Sequence, residues 1–330
     1  MKNLAIIGGG SWGTALAIVL APRLSGLRLW VYERDLAERM RQTRVNHVYL
    51  PGFSLPQHIQ VTSDLSEALG SAETILSVVP SHLVRAVYEQ IRPLLKRATL
   101  FVSATKGLEN HSLLRMSEII REVNGPEARV GVLSGPSFAK EVARGEPTAI
   151  VAASTEPTVA SEIQAAFSSP TFRVYTSTDP TGVEIGGSIK NVVAIGAGVL
   201  HGLGLGHNAM AALITRGLAE MTRLAVAMGG RQQTLAGLAG LGDLVLTCNG
   251  ELSRNRTVGV ELARGRKLEE ITGSMKMVAE GIKTTNAAVD LAKRHSVEMP
   301  IAEQMYQVLQ EGISPRIAIQ RLMERSLKGE

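Results

Sequence analysis

A glycine-rich turn near the N-terminus constrains the fold of this chain more than any other sequence feature. Gly8, Gly10 and Gly13 give the spacing G-x-G-x-x-G and lie directly between the apolar run Leu4–Ile7 and a helical pattern over Thr14–Leu20. The first glycine permits a tight turn, the second lets the backbone approach a pyrophosphate, and the third lets helix and strand pack closely. The N–H groups that open the helix then face the phosphates. We therefore expect a dinucleotide-binding turn; a glycine-rich turn without a ligand is the alternative.

The rest of the first half fits a Rossmann-like domain, because short β-rich runs alternate with amphipathic stretches. After about residue 179, turn formers are followed by helical stretches rich in alanine, leucine and methionine. We expect an α/β fold, with a mostly parallel sheet in an N-terminal dinucleotide-binding domain (residues 1–179) and an all-helical C-terminal substrate domain (residues 180–330). The expected strands are Leu4–Ile7, Leu27–Tyr32, Thr74–Val79, Leu100–Ser103, Val130–Ser134, Ala149–Ala152 and Arg173–Thr176. The expected helices are Thr14–Leu20, Asp35–Thr43, Ser81–Ile91, Ser112–Val123, Thr158–Phe167, Ser188–Leu200, Asn208–Met228, Thr284–Arg294 and Ile301–Leu309.

Charge and cysteine content exclude several classes of protein. The formal charge of +5 is spread along the chain, whereas a nucleic-acid site needs clustered basic residues. The single cysteine, Cys248, excludes an intrachain disulfide framework and indicates a reducing compartment. No apolar run is long enough to span a bilayer. The stretch Leu4–Leu20 looks like a signal peptide, but Gly8–Gly10 interrupt it and the dinucleotide turn explains them better.

The histidines lack metal-ligand spacing such as H-E-x-x-H, and the chain has neither a G-x-S-x-G elbow nor a Walker loop. The sequence therefore offers no support for a metal site or for a serine nucleophile.

The end of the second expected strand carries two residues that bear on coenzyme choice. Glu33 is placed to accept hydrogen bonds from the adenosine ribose, which favours NAD, whereas Arg34 is placed to pair with the extra phosphate of NADP. An exposed ion pair at a strand end is the structural alternative. NAD and NADP both remain open from these residues.

Two loops follow the fourth and fifth expected strands, where open α/β sheets place ligand contacts. The first carries Lys106, which can hold a substrate or phosphate oxygen, although a loop lysine is more often solvated. The second contains Gly135 and Ser137, and we expect Ser137 to cap a helix that starts at Phe138. A well-capped helix without any ligand would explain the second loop equally well.

Lys190 is the strongest candidate for acid–base chemistry. It precedes the nearly continuous apolar stretch from Val192 to Leu200, so we expect it to be buried near the start of a helix. Such burial disfavours the ammonium form and brings the lysine pKa toward working pH. Asp243 is an isolated acid in a glycine-rich, uncharged stretch and is the natural partner for Lys190. A lysine that reaches solvent is the alternative.

A third candidate group opens another expected helix. Ser253 can cap that helix, and Arg254 and Asn255 supply donors at its start, an arrangement that suits a phosphate. A charged, solvated helix start is the alternative.

Taken together, these motifs resemble the NAD(P)-dependent glycerol-3-phosphate dehydrogenases, in particular the bacterial enzymes, over essentially the whole chain. The stretch around Glu33 and Arg34 departs from the usual bacterial version and is about two residues longer. The matching stretches are Gly8–Gly13, Ala104–Leu108, Ser134–Glu141, Lys190–Asn191, Ala211–Leu218, Gly237–Asp243, Ser253–Arg256 and Val278–Gly281.

The resemblance implies interconversion of dihydroxyacetone phosphate and sn-glycerol 3-phosphate for glycerophospholipid synthesis, with Lys190 as the proton donor or acceptor. Substrate contacts are implied for Lys106, Gly135, Ser137, Lys190, Asp243, Ser253, Arg254 and Asn255, with Lys106 and Asp243 assisting Lys190 in catalysis. Coenzyme contacts are implied for Ser11, Trp12, Arg34, Lys106, Ala139, Arg254, Val278 and Glu280, in addition to Gly8, Gly10, Gly13 and Glu33 from the turn and strand patterns.

We thus expect a cytoplasmic homodimer that acts on a small phosphate substrate, binds no nucleic acid and has no membrane span. Two alternatives remain. One is a two-domain reductase of the β-hydroxyacid or ketopantoate type, whose substrates are carboxylates; the other is a nicotinamide-binding regulatory protein without turnover.

Overall fold

The computed structural model describes residues 1–95, 99–275, 277–327 and 329. The chain divides into two compact units, one made of Met1–Lys106 and Leu114–Glu184 and the other of Gly107–Leu113 and Ile185–Glu330. The division at Glu184 lies near the boundary placed at residue 179 from the sequence. The assignment of coenzyme and substrate to the two parts stays a prediction.

The first unit is built on an eight-stranded sheet. The strands of this unit are β1 (Asn3–Ile7), β2 (Gly26–Trp30), β3 (Val45–Asn46), β4 (Leu50–Ser54), β5 (Ile59–Thr62), β6 (Thr74–Ser77), β7 (Leu100–Ser103), β8 (Arg129–Ser134), β9 (Thr148–Ala153) and β10 (Phe172–Ser177). The sheet has the order β10-β9-β8-β7-β6-β1-β2-β5. Neighbouring strands are parallel except β8 and β9, which are antiparallel, so the expected mostly parallel sheet is confirmed. The α-helices are α1 (Ser11–Leu20), α2 (Arg34–Thr43), α3 (Leu65–Leu69), α4 (Val84–Ile91), α5 (Met116–Asn124), α6 (Ala139–Arg144) and α7 (Pro157–Phe167).

Both faces of this sheet are covered, which explains the continuous apolar strands. In β1, Leu4 and Ile6 belong to one hydrophobic core, and Ala5 and Ile7 belong to the core on the opposite face. Successive side chains of a strand point to opposite faces, so a strand between two helical layers is apolar at every position. All seven expected strands are present. Strand β5 and the small antiparallel hairpin of β3 and β4 were not anticipated.

The second unit is helical and packs around one central helix, α8 (Pro180–Gly202), whose buried apolar residues from Ile185 to Ala197 lie in the hydrophobic core of this unit. Helix α8 is the one helix among the described residues long and apolar enough to cross a membrane, but its apolar window is wholly buried, as in the core helix of a soluble protein. The described part of the chain therefore shows no clear membrane span. The helices are α8 (Pro180–Gly202), α9 (His207–Ala227), α10 (Gln232–Leu235), α11 (Asp243–Asn249), α12 (Arg254–Ala263), α13 (Leu268–Ser274), α14 (Glu280–Arg294), α15 (Pro300–Gln310) and α16 (Pro315–Met323), with a π-helical turn at Leu238–Gly242.

One expectation about Lys190 is wrong. It does not lie near the start of its helix, because α8 begins at Pro180 and Lys190 falls in the middle of the 23-residue helix. Gly182, Gly186 and Gly187 concealed the true start, since glycine is a poor helix former. Packing compensates for this low propensity: a Cβ on Gly186 would lie 2.5 Å from the carbonyl oxygen of Ala239. The helix N-terminus therefore cannot influence the charge of Lys190.

Candidate active site

The glycine turn between β1 and α1 uses its three key glycines for different reasons. Gly8 has φ +125, and a Cβ there would lie 2.8 Å from the carbonyl oxygen of Val78. A Cβ on Gly13 would overlap the carbonyl oxygen of Gly8, so Gly13 permits the close packing of helix on strand. A Cβ on Gly10 would have no described atom within 4 Å, so this side of the turn faces open space.

The open side of the turn fits a dinucleotide. Helix α1 starts at Ser11 with no side-chain hydrogen bond capping it, so its first N–H groups are directed toward the same space. The indole Nε1 of Trp12 is buried and has no hydrogen-bond partner among the described residues. A phosphate over Gly10 and the start of α1 would satisfy these backbone donors, so the residues present fit the coenzyme.

Loops that follow four parallel strands continue this site along the carboxyl edge of the sheet. The glycine turn after β1 touches Val78 after β6, and the Thr105 Oγ1 donates to the carbonyl of Val79 at 2.8 Å. The next residue, Lys106, donates from Nζ to the carbonyl oxygen of Gly135 after β8 at 2.9 Å. The structure thus brings together residues that are far apart in sequence at the edge where α/β sheets bind ligands.

The prediction that Ser137 caps the following helix is wrong. Helix α6 starts at Ala139, its N-cap position is Phe138, and no side chain caps it. The Ser137 hydroxyl instead donates to the carbonyl of Gly135 at 2.9 Å, the same oxygen that Lys106 binds. Gly135 has φ +140, and a Cβ there would lie 2.9 Å from the Cα of Ile150, so this position requires glycine.

In the second unit, Lys190 and Asp243 form a buried ion pair. The Nζ of Lys190 lies 2.6 Å from Asp243 Oδ1, and the two side chains are 7% and 1% exposed. The pairing inferred from the isolated acid is therefore present. Nζ also donates to the Oγ1 of Thr247 at 2.8 Å, and that hydroxyl donates to the backbone carbonyl of Asp243 at 2.6 Å.

Thr247 was missed as a site residue from the sequence. The sequence pattern that could have identified it is its spacing of four residues from Asp243, because this spacing places both side chains on one face of α11. Directly before Asp243, the turn Leu238–Gly242 is π-helical, and such irregular turns often occur at functional sites. The Cβ position of Gly240 in this turn is filled by the backbone of Leu235. The turn that leads into α11 is therefore packed directly against the backbone at the end of the helix Gln232–Leu235.

The start of α12 presents the third predicted group. Ser253 Oγ accepts a hydrogen bond from the Arg256 N–H at 3.2 Å, so the expected cap is present. Arg254 is exposed, and its Nη1 donates to the carbonyl of Val278 at 3.0 Å. Its guanidinium also lies within electrostatic range of Glu280. Arg254, Val278 and Glu280 are thus neighbours.

Asn255 connects this group to α8. Its Oδ1 accepts from the Gly281 N–H at 2.9 Å, which leaves its amide group as the donor. A Cβ on Gly281 would lie 2.7 Å from the carbonyl oxygen of Asn191, the residue after Lys190. Helices α8 and α12 also touch backbone to backbone, because Gly198 faces the carbonyl of Arg256 and Gly259 faces that of Ile195. The lysine pair and the α12 start are therefore fixed to one another.

The arrangement supports acid–base chemistry on an anionic substrate. A buried ammonium that is held by two acceptors can transfer a proton at a defined point, and the α12 start offers cationic and amide donors for a phosphate. Among the described residues, no group of three or more His, Cys, Asp or Glu could hold a metal ion.

Comparison with known proteins assigns both halves of the chain to one family. Residues 3–160 match the profile of the NAD-dependent glycerol-3-phosphate dehydrogenase N-terminus, and residues 179–320 match that of the corresponding C-terminus. The glycerol-3-phosphate dehydrogenase [NAD(P)+] of Koribacter versatilis is 56% identical over 98% of this chain and 98% of its own length. The enzyme of the same name from Geobacter sulfurreducens is 52% identical over 100% of this chain and 99% of its own length.

Comparison with solved structures leads to the same family. The crystal structure of glycerol-3-phosphate dehydrogenase from Coxiella burnetii matches with a TM-score of 0.94 and 43% identity, covering 98% of this chain and 99% of that one. A ketopantoate reductase from Ralstonia eutropha matches with a TM-score of 0.59 and only 17% identity over 98% of this chain and all of that one, which indicates a shared fold alone.

Proposed function

The chain belongs to the NAD-dependent glycerol-3-phosphate dehydrogenase family, and from this premise we propose that it interconverts dihydroxyacetone phosphate and sn-glycerol 3-phosphate with NAD or NADP. The single observation that carries the proposal is the buried network of Lys190, Asp243 and Thr247. Reduction of a ketone requires a hydride and a proton, and a buried ammonium held at a fixed point supplies the proton.

Lys190 is the proton donor in the reducing direction. As the C2 carbonyl of the substrate becomes an alkoxide, its oxygen takes a proton from Nζ, and in the reverse direction Nζ accepts that proton. Asp243 stabilises the ammonium form at 2.6 Å, and Thr247 restricts Nζ to one position. Proton transfer in a fixed geometry avoids the entropy cost of orienting the reactants.

The substrate phosphate is held by the start of α12. Arg254 supplies a guanidinium, and Asn255 supplies its amide group. The Ser253 hydroxyl accepts the Arg256 N–H as the helix cap and keeps its O–H as a donor for the phosphate. Binding of the phosphate, a part of the substrate that does not react, positions the carbonyl for reaction.

The coenzyme is held by the glycine turn, the start of α1 and the loop that contains Lys106. When bound there, a nicotinamide coenzyme would supply the hydride for reduction of the substrate, or accept it in the reverse direction. Lys106, Gly135 and Ser137 form one hydrogen-bonded group after β7 and β8 in the same unit as the glycine turn, and we assign them to substrate contact. Ala139 at the start of α6 completes the set, since α6 packs against α1.

The decisive assay mixes purified protein with dihydroxyacetone phosphate and either NADH or NADPH, and follows the loss of absorbance of the reduced coenzyme. We expect turnover with at least one coenzyme and none with unphosphorylated dihydroxyacetone. Turnover with ketopantoate or a β-keto acid but not with the phosphate would favour the carboxylate reductases. Coenzyme binding without any turnover would favour a regulatory protein.

The proposal also covers the oligomeric state, the cellular compartment and the metabolic role of the protein. We expect a cytoplasmic homodimer whose product, sn-glycerol 3-phosphate, supplies glycerophospholipid synthesis. Light scattering of the purified protein tests the dimer, and fractionation of the producing cells tests the compartment. Complementation of a strain that requires glycerol 3-phosphate tests the metabolic role.

A further inference from the structure

One hydrogen bond close to the coenzyme site has no place in the proposed chemistry. Tyr49 Oη donates to Glu33 Oε1 at 2.6 Å. Glu33 is exposed and occupies the N-cap position of α2, just past β2, where this fold faces the adenosine ribose of a dinucleotide. The bond to Glu33, together with partial burial, raises the pKa of Tyr49 to about 12, so its hydroxyl remains a donor at working pH.

The backbone of Tyr49 is tied to the glycine turn. Asn46, which is fully buried, donates from Nδ2 to the carbonyl of Gly9 at 2.8 Å and to Thr14 Oγ1 at 2.9 Å. Its Oδ1 accepts from the Tyr49 N–H at 3.0 Å. A continuous set of hydrogen bonds therefore connects the turn that would bind the pyrophosphate with the carboxylate of Glu33.

The neighbouring cation has a competing anion. Arg34 is the first residue of α2, and its charge acts on the carboxylate of Asp64. The pKa of Asp64 is lowered mainly by hydrogen bonds from the Glu67 and Ser66 N–H groups, and Arg34 lowers it further. A 2′-phosphate of NADP would therefore compete with Asp64 for Arg34 and would also face Glu33.

We propose that Tyr49 is a positioning residue for coenzyme choice, and that it holds Glu33 where the carboxylate accepts hydrogen bonds from the ribose diol of NAD and repels the 2′-phosphate of NADP. This inference rests on the proposed function, because it places a nicotinamide dinucleotide at the glycine turn. It resolves the choice between Glu33 and Arg34 in favour of the acid.

The test measures binding without substrate, by titration calorimetry of NADH, NADPH, ADP-ribose and 2′-phospho-ADP-ribose. The wild type should bind NADH at least about tenfold more tightly than it binds NADPH. Y49F removes only the hydroxyl. It should weaken the binding of NADH about fivefold, because a hydrogen bond that orients a charged group contributes about this much. The binding of NADPH should be unchanged or tighter. E33Q should remove most of the preference. Y175F, which alters an exposed tyrosine on β10, is the control and should leave the ratio unchanged.

The ADP-ribose pair isolates the adenosine end and should reproduce the same ratios. A wild-type preference for NADPH, or equal weakening of both coenzymes by Y49F, would overturn the inference while leaving the proposed function in place. Failure of the wild type to bind either dinucleotide would overturn both. Should Y49F fold poorly, E33Q still decides, because an unchanged NADH-to-NADPH ratio in that variant contradicts the role of the carboxylate.

Discussion

Lys190 and Asp243 are 53 residues apart in sequence, yet Nζ and Oδ1 lie 2.6 Å apart with both side chains almost excluded from solvent. A buried ion pair contributes little net stability, because desolvation of the two charges offsets their attraction. Its presence in the core of a helical unit is therefore better explained by chemistry than by folding.

Replacement of Lys190 by methionine should separate these two effects. Loss of the proton donor should lower kcat by about 10²- to 10⁴-fold, and the unpaired carboxylate should lower the free energy of unfolding by about 3–5 kcal/mol. Adding Asp243→Asn should restore stability without restoring turnover. Urea unfolding and steady-state kinetics measure both; near-wild-type turnover of Lys190→Met would remove its assigned role.

The Thr247 hydroxyl should affect rate rather than binding. Thr247→Val keeps the side-chain shape but removes the acceptor for Nζ, so we expect kcat to fall about 10- to 100-fold, a value typical for loss of one hydrogen bond to a charged group. The KM for dihydroxyacetone phosphate should change little, and the pH profile of kcat should shift. Thr247→Ser retains the hydroxyl and serves as the control. Equal losses in both variants would indicate a packing role.

Two glycines of the turn after β1 should respond in opposite ways to alanine. Gly10 has φ −71 and faces open space, so Gly10→Ala should fold normally but weaken NADH binding about tenfold or more, because its methyl group would meet the pyrophosphate. Gly13→Ala places its methyl group on the Gly8 carbonyl and should lower the melting temperature strongly. Thermal unfolding and coenzyme titration distinguish the two. Normal NADH binding by Gly10→Ala would contradict the site.

Glu220 should make stability depend on pH. Its two oxygens accept hydrogen bonds from the Ile301 and Ala302 N–H groups at 2.7 and 3.2 Å, but burial outweighs these bonds and raises its pKa to about 7. Between the unfolded value of about 4.3 and 7, the folded state binds more protons than the unfolded state. Stability therefore falls as pH rises through this window and levels off above it.

Comparison with Glu220→Gln isolates this contribution. The free energy of unfolding of the wild type, measured relative to the variant in urea, should decrease by roughly 2–3 kcal/mol between pH 5 and 7.5. A difference that stays constant over this range would show that Glu220 remains ionised throughout.

Cys248, adjacent to Thr247, should be inert in the folded protein. It is fully buried, and burial raises the pKa of its thiol to about 12, so little thiolate is present at neutral pH. A thiol reagent such as dithionitrobenzoate should react with the native protein only as fast as the protein unfolds. In urea, one thiol per chain should react. Rapid labelling of the native protein would contradict the packing around α11.

Features that follow from burial could be predicted from the sequence. Strands β1, β6 and β7 are buried along almost their whole length, and short β-rich runs of this kind located all seven of the expected strands. Asp243 is the only acid within a glycine-rich stretch, and the cost of burying a lone carboxylate pointed to Lys190 as its partner.

Features that depend on tertiary packing could not be predicted from the sequence. The start of α8 was hidden by glycines whose low helix propensity is offset by contact with Ala239. Ser137 precedes a helix as a cap would, but the backbone conformation of Gly135 gives its hydroxyl another acceptor. The bond between Tyr49 and Glu33 depends on a hairpin that short strands and prolines made hard to recognise.

The crossing of α8 and α12 at Gly198 and Gly259 has a consequence for insertions and deletions. Backbone contact at this point leaves α8 unable to rotate about its axis, so the direction of the Lys190 side chain is set by its spacing from Gly198. Each residue turns a helix by about 100°, and a single insertion between the two positions would swing the ammonium group away from Asp243. An insertion of four residues would nearly restore its direction but displace it by about one helical pitch. In this part of the chain, length is constrained as tightly as residue identity.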